Sequence, residues 1–133
     1  AYWNDLLADL DEAPVLRQDT GTSVEVGISL DAERTALLLD SCQRAFGTRI
    51  DEFLLAAFGQ ALTGLTGRSI SHLMVEGHGR EEFDAQTDVS RTVGWFTTLH
   101  PVRLEVCDDP ADTLKSVKDG LRAVPDKGIG YGP

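Results

Sequence analysis

An alternating run, Ile70-Ser71-His72-Leu73-Met74-Val75, delivers the chain into Glu76-Gly77-His78-Gly79-Arg80-Glu81. Alternation of this kind reads as a β-strand, with Ile70, His72, Met74, Glu76 and His78 on one face. The two glycines lack a Cβ, so the chain can turn sharply at the strand end and let another group approach the backbone. A carboxylate therefore stands at a strand end, with two histidines on its face and an arginine four residues on. A solvated turn with locally paired charges has the same pattern, so the hexapeptide alone leaves both readings open.

The remaining elements are laid out around that strand. Tyr2-Trp3-Asn4-Asp5-Leu6-Leu7 reads as a short helix, with Trp3, Leu6, Leu7 and Leu10 on one side. Asp11 to Thr22 is polar, contains Pro14 and reads as a linker or crossing loop. Val24, Val26, Ile28 and Leu30 alternate with polar or small residues and predict a half-buried strand. Asp31, or Ser29, caps a helix that carries Leu37, Leu38, Ala45 and Phe46 and stops at Gly47. Ile50 to Leu65 is apolar around nearly its whole circumference, which predicts a helix buried on most sides.

Past Glu81 the stretch to Arg91 reads as a loop. Val102, Leu104 and Val106 predict another strand, with Pro101 at an edge, a bulge or the first position. Asp109 then caps a helix opened by Pro110, with Leu114, Val117 and Leu121 on its buried face. The mixture is α+β or α/β without internal repeats, and periodicity does not decide between parallel and antiparallel strands.

Composition narrows the classes. The 133 residues make about one domain. A net charge of −10 argues against a nucleic-acid partner, because Lys and Arg must displace counterions from a phosphate backbone. No apolar run reaches the roughly 20 residues of a spanning helix, and no secretory signal is present. No membrane partner is expected. Cys42 and Cys107 stand apart and read as reduced thiols of a cytoplasmic protein, one of them buried in a helix. The chain begins at Ala1 and ends at Pro133 after a Gly-rich stretch, so both ends read as cut.

Searches for a nucleophile elbow, a Walker loop, HExxH and zinc spacings are negative. His72 and His78 are about 20 Å apart along an extended strand, too far to share a tetrahedral ion unless the glycine turn folds them together. Gly128, Gly130 and Gly132 read as a structural turn, with no helix following to hold a phosphate.

Four segments in fixed order decide more: Asp51-Glu52-Phe53-Leu54-Leu55-Ala56-Ala57-Phe58-Gly59, Glu76 to Glu81, Arg91-Thr92-Val93-Gly94-Trp95-Phe96-Thr97-Thr98-Leu99-His100-Pro101-Val102, and Pro125 to Gly132. Together they resemble successive core motifs of the epimerization domains of non-ribosomal peptide synthetases, within the condensation-domain superfamily. The resemblance covers residues 1–133 but only the C-terminal half of such a domain. The paired-histidine HHxxxDG motif of the N-terminal half is absent, as is the FNYLG-like segment expected after Pro133. The fold implied is an α+β two-layer sandwich, the chloramphenicol-acetyltransferase-like C-terminal subdomain that faces its partner across a tunnel.

The resemblance implies inversion of the α-carbon of a carrier-bound aminoacyl or peptidyl thioester. It places Glu76 as one acid/base group, opposite the histidine of the N-terminal half. Arg80 is assigned to holding loop and carboxylate, and His78 to structure or hydrogen bonding near the site. Trp95 and Phe96 are assigned to the wall between subdomains. Tyr131 stands either at the tunnel mouth or in a surface turn. No cofactor is bound directly, since the substrate rides on the phosphopantetheine of a peptidyl carrier protein. That carrier and the N-terminal subdomain are the implied partners. A condensation-type acyltransferase and a non-catalytic docking remnant are the alternatives.

Overall fold

The computed structural model describes residues 1–10, 21, 25–81 and 88–132. The predicted linker at Asp11 to Thr22 falls almost wholly outside these residues, as do Val24 and most of the loop after Glu81. Helix α1 (Tyr2–Leu6) opens the chain; α2 (Ala32–Ala36), a π-helical turn (Leu37–Cys42) and α3 (Gln43–Phe46) follow. Then come α4 (Ile50–Thr66), β1 (Ile70–Gly77), β2 (Thr98–Glu105), α5 (Pro110–Arg122) and a short 3₁₀ turn (Pro125–Gly128).

The two strands pair antiparallel, with Ile70 opposite Glu105 and Gly77 opposite Thr98. That register puts His100, Val102 and Leu104 on the face that packs on α4 and α5, forming a core with Ala56, Leu114, Val117 and Val124. The result is the α+β arrangement the sequence predicts: one layer of sheet, one of helices. Pro101 lies mid-strand in β2 opposite Met74, tolerated because β2 is paired on one side only among the described residues.

The caps are local and follow the sequence. Asp31 accepts from the Arg34 N–H at 2.8 Å, and Asp109 from the Ala111 N–H at 2.7 Å. Gly47 and Gly67 end α3 and α4 in the left-handed conformation, at φ 59° and 70°.

Two expectations are corrected. Glu25 to Leu30 forms no strand: Val26 and Ile28 are 85% and 94% exposed, because no described strand lies alongside to pair with them. Helix α4 is not buried on most sides. It buries one stripe, Glu52, Ala56 and Gly59, while Leu54, Phe58 and Leu65 stay exposed, since the small sheet and α5 cover only one side. Cys42 and Cys107 are both free and half-buried, so neither is the buried helical cysteine expected. Among the described residues no helix is long and apolar enough to cross a membrane.

Candidate functional site

A cleft of about 610 Å³ opens where β1 ends and β2 begins. Glu76, His78 and Glu81 line it from the β1 side, Thr98 and His100 from β2, and Lys127 from the 3₁₀ turn. Glu76 sits opposite Leu99 in the ladder, is exposed, and has no hydrogen-bond or ion-pair partner among the described residues. The register puts its side chain with Met74 and Leu99 on the open face of the sheet, at the rim of the cleft, where its carboxylate is available to a bound molecule.

The turn that carries it is heavily tied down. The His78 Nδ1 accepts the Arg80 backbone N–H at 3.0 Å, which leaves Nε2–H to face Glu81 Oε1 at 3.3 Å. Glu81 also pairs with the Lys127 ammonium. Gly79 has φ 64° and lies on the Phe96 carbonyl, where a Cβ would stand 1.6 Å from the oxygen. Gly77 lies near Thr98, its virtual Cβ 2.7 Å from the side-chain Oγ1. Gly79 is thus required by the close approach of the Phe96 backbone, while a side chain at Gly77 would ask Thr98 to shift.

Arg80 does not touch Glu76. Its guanidinium donates to the carbonyls of Val89 (2.8 Å), Thr92 (3.0 Å) and Gly94 (3.2 Å), and lies 4.4 Å from the centre of the Phe96 ring. Planar donors in a fixed fork suit a ring of carbonyls, and the charge stacks on the aromatic face. The sequence motifs Glu76–Glu81 and Arg91–Phe96 are therefore two halves of one interlocked loop pair. Trp95 projects from it and is 91% exposed. His72 is not part of the site: its ring faces the Leu6 carbonyl at 3.1 Å and Asp9 at 3.2 Å. No metal-binding cluster occurs among the described residues.

Tyr131 packs edge-on against Trp3, ring centroids 4.9 Å apart, and Trp3 in turn lies 6.2 Å from His100. Sequence alone does not single out His100. It is only 7% exposed, Gly128 lies directly against its Nδ1, and that nitrogen has no hydrogen-bond partner among the described residues. Burial pushes its pKa below the ordinary histidine value. Its alternation with Thr98, Val102 and Leu104 on β2 is the one signal that points to it.

Beside the cleft, Glu52 is fully buried at the start of α4. It accepts from the Arg49 N–H (2.7 Å) and from the Arg122 guanidinium (2.8 and 3.0 Å), joining α4 to α5. This pair too escapes sequence reading, because Arg122 lies 70 residues away.

The comparisons with known proteins agree with this architecture. The condensation-domain family model matches residues 1–133, and the chain belongs to that family. It is 42% identical over 135 residues to N-(5-amino-5-carboxypentanoyl)-L-cysteinyl-D-valine synthase of Amycolatopsis lactamdurans, covering 98% of this chain and 4% of that protein. It is 42% identical over 121 residues to bacitracin synthase 3 of Bacillus licheniformis, covering 89% and 2%. Among solved structures, the epimerization domain from the third module of tyrocidine synthetase B superposes with TM-score 0.80 at 32% identity, over 98% of this chain and 31% of that one. The first condensation domain of the CDA synthetase shares the fold, with TM-score 0.68 at 22% identity over 91% and 27%. The chain thus spans a few per cent of those synthases and about a third of those solved chains.

Proposed function

We propose that this chain is the C-terminal subdomain of an epimerization domain of a non-ribosomal peptide synthetase. The observation that carries the reading is Glu76: an unpartnered carboxylate at a strand end, at the rim of a cleft, on a turn held by Phe96, Glu81 and Lys127. The 32% identity to an epimerization domain supports the choice within the family.

The reaction asks for little more than placed proton carriers. A thioester acidifies the α-proton of the residue it holds, and removing that proton builds enolate charge on the carbonyl oxygen. Glu76 takes or returns the proton on one face of the α-carbon. The group on the other face is the histidine of the N-terminal subdomain. The substrate arrives on the phosphopantetheine arm of a peptidyl carrier protein. Arg80 has no chemical step in this scheme; it holds the 88–96 loop against the glutamate turn.

Condensation-type acyl transfer is the second reading, favoured by the breadth of the family model itself. The two separate by experiment. In the complete domain, supplied with loaded carrier protein, Glu76→Gln keeps shape and hydrogen bonding but cannot carry a proton. Epimerization should fall by about 10²–10⁴-fold, with carrier binding little changed. A variant that epimerizes within a few-fold of the unmutated domain overturns the assignment. A domain that forms peptide bonds and never exchanges the α-proton with solvent deuterium favours the second reading.

A further inference from the structure

The segment Pro125–Gly128 is more than a surface turn. Asp126 and Lys127 both adopt left-handed backbone, at φ 45° and 50°, and Gly128 follows at 87°. Side chains with a Cβ avoid this region, and consecutive residues held there persist only where surrounding contacts fix them. Two contacts do so. Gly128 lies flat on the buried His100 ring, where a Cβ would come within 2.0 Å of Nδ1. Lys127 reaches across to Glu81, 46 residues earlier in the chain.

From Glu81 the connection continues inward. Glu81 Oε1 faces His78 Nε2–H, and His78 Nδ1 holds the Arg80 backbone N–H. The turn bearing Glu76 is therefore gripped on one side by Phe96 and the Arg80 fork, and on the other by Lys127. Among the described Lys and Arg side chains Lys127 is the one in ion-pair contact with Glu81: Arg49 feels the Glu81 charge from farther off while pairing with Asp51 and Glu52, and Arg122 pairs with Glu52.

We infer that Lys127 is a positioning residue for the Glu76 turn, acting through Glu81 and His78 to fix where the glutamate carboxylate stands in the cleft. This rests on the acid/base role proposed for Glu76. Lys127 does not reach the reacting atoms in this scheme. Its ion pair is half in solvent, so its effect on folding is small. Its effect on geometry is larger, because displacing a proton carrier by a fraction of an ångström lengthens the transfer distance in every turnover.

The test uses the complete domain with its loaded carrier protein. Lys127→Met and Glu81→Gln should each lower kcat by about tenfold while KM for the carrier stays within about twofold. The double variant should be no slower than the slower single variant, since both remove one link. Single variants within twofold of the parent overturn the inference, as do losses that multiply in the double variant.

Hydrogen–deuterium exchange gives a readout independent of turnover. Amides of residues 76–81 should exchange about tenfold faster in Lys127→Met, and unchanged protection overturns the link. If Glu76→Gln remains active, the acid/base reading fails by itself, and the exchange measurement still decides whether Lys127 holds the turn.

Discussion

Gly79 and Phe96 meet backbone to backbone, so closely that a Cβ on Gly79 would stand 1.6 Å from the Phe96 carbonyl oxygen. Two separate motifs are thereby made one surface, with the Arg80 guanidinium lying over the Phe96 ring at 4.4 Å. The obstacle is backbone, so no side-chain rotation relieves it, and φ 64° disfavours any other residue.

Gly79→Ala should therefore destabilise the complete domain by about 2–4 kcal/mol in urea unfolding. Gly130 offers the control, because nothing lies within 4 Å of its virtual Cβ. Gly130→Ala should change stability by no more than about 0.5 kcal/mol. Similar losses for both would mean that the interlocked loops do not contribute to folding.

How much of this is legible beforehand depends on the range of the interactions involved. The caps at Asp31 and Asp109, the stop at Gly47 and α5 are set by neighbours a few residues away, and the sequence shows them; β1 shows in its alternation and finds β2 to pair with. The pattern at Val26 and Ile28 promises a strand equally well, but a strand needs a partner to pair with, and none of the described strands lies there. Helix α4 misleads for a related reason: its apolar circumference says what the residues avoid, not whether enough protein surrounds them. Glu76, His78 and Arg80 stand out because the glycines between them mark a turn. His100, Lys127 and the Glu52–Arg122 pair become visible only once the chain has brought distant segments together.

Glu52 yields a prediction about pH. Burial pushes its carboxyl upward, but the Arg122 hydrogen bonds, the Arg49 N–H and the two guanidinium charges outweigh this and hold it below the ordinary value of 4.5. A folded-state pKa below the unfolded one adds stability that is full above the ordinary value and disappears as pH falls through the folded value. Glu52→Gln should cost about 1–3 kcal/mol at neutral pH, leaving buried donors poorly met. That difference should narrow steadily below pH 4.5. A cost independent of pH would show that packing, not charge, carries the effect.

His100 predicts a pH response in another range. Its pKa is lowered by burial from the ordinary 6.5, so the folded protein resists taking up its proton while the unfolded chain accepts it. The stability tied to the neutral ring is complete above 6.5 and is lost as pH falls from there toward the folded value. Unfolding midpoints measured at about pH 7.5 and 5.5 should drop for the parent and drop less for His100→Phe. Equal drops in both proteins would assign the response to other groups.

The final prediction concerns the apolar groups left in solvent. Val93 and Trp95 are 99% and 91% exposed on the loop held by Arg80, and Val26 and Ile28 are exposed to a similar degree. Single exposed apolar side chains are ordinary, but a Val-Gly-Trp tip held rigidly outward is a contact waiting for a surface. In the proposed reading that surface is the facing subdomain, with Trp95 and Phe96 in the wall between them. Phe96 is occupied by Arg80 on one face, so Trp95 is the residue free to make the contact. The isolated 133-residue chain should therefore self-associate as concentration rises and bind a hydrophobic dye in its native state. Val93→Ser with Trp95→Ser should reduce both, since the tip supplies the rigid part of the exposed surface. Adding the N-terminal subdomain should suppress dye binding by the parent chain and have less effect on the double variant. Light scattering that reports a monodisperse monomer, together with a silent dye, would count against the loop tip as a buried wall.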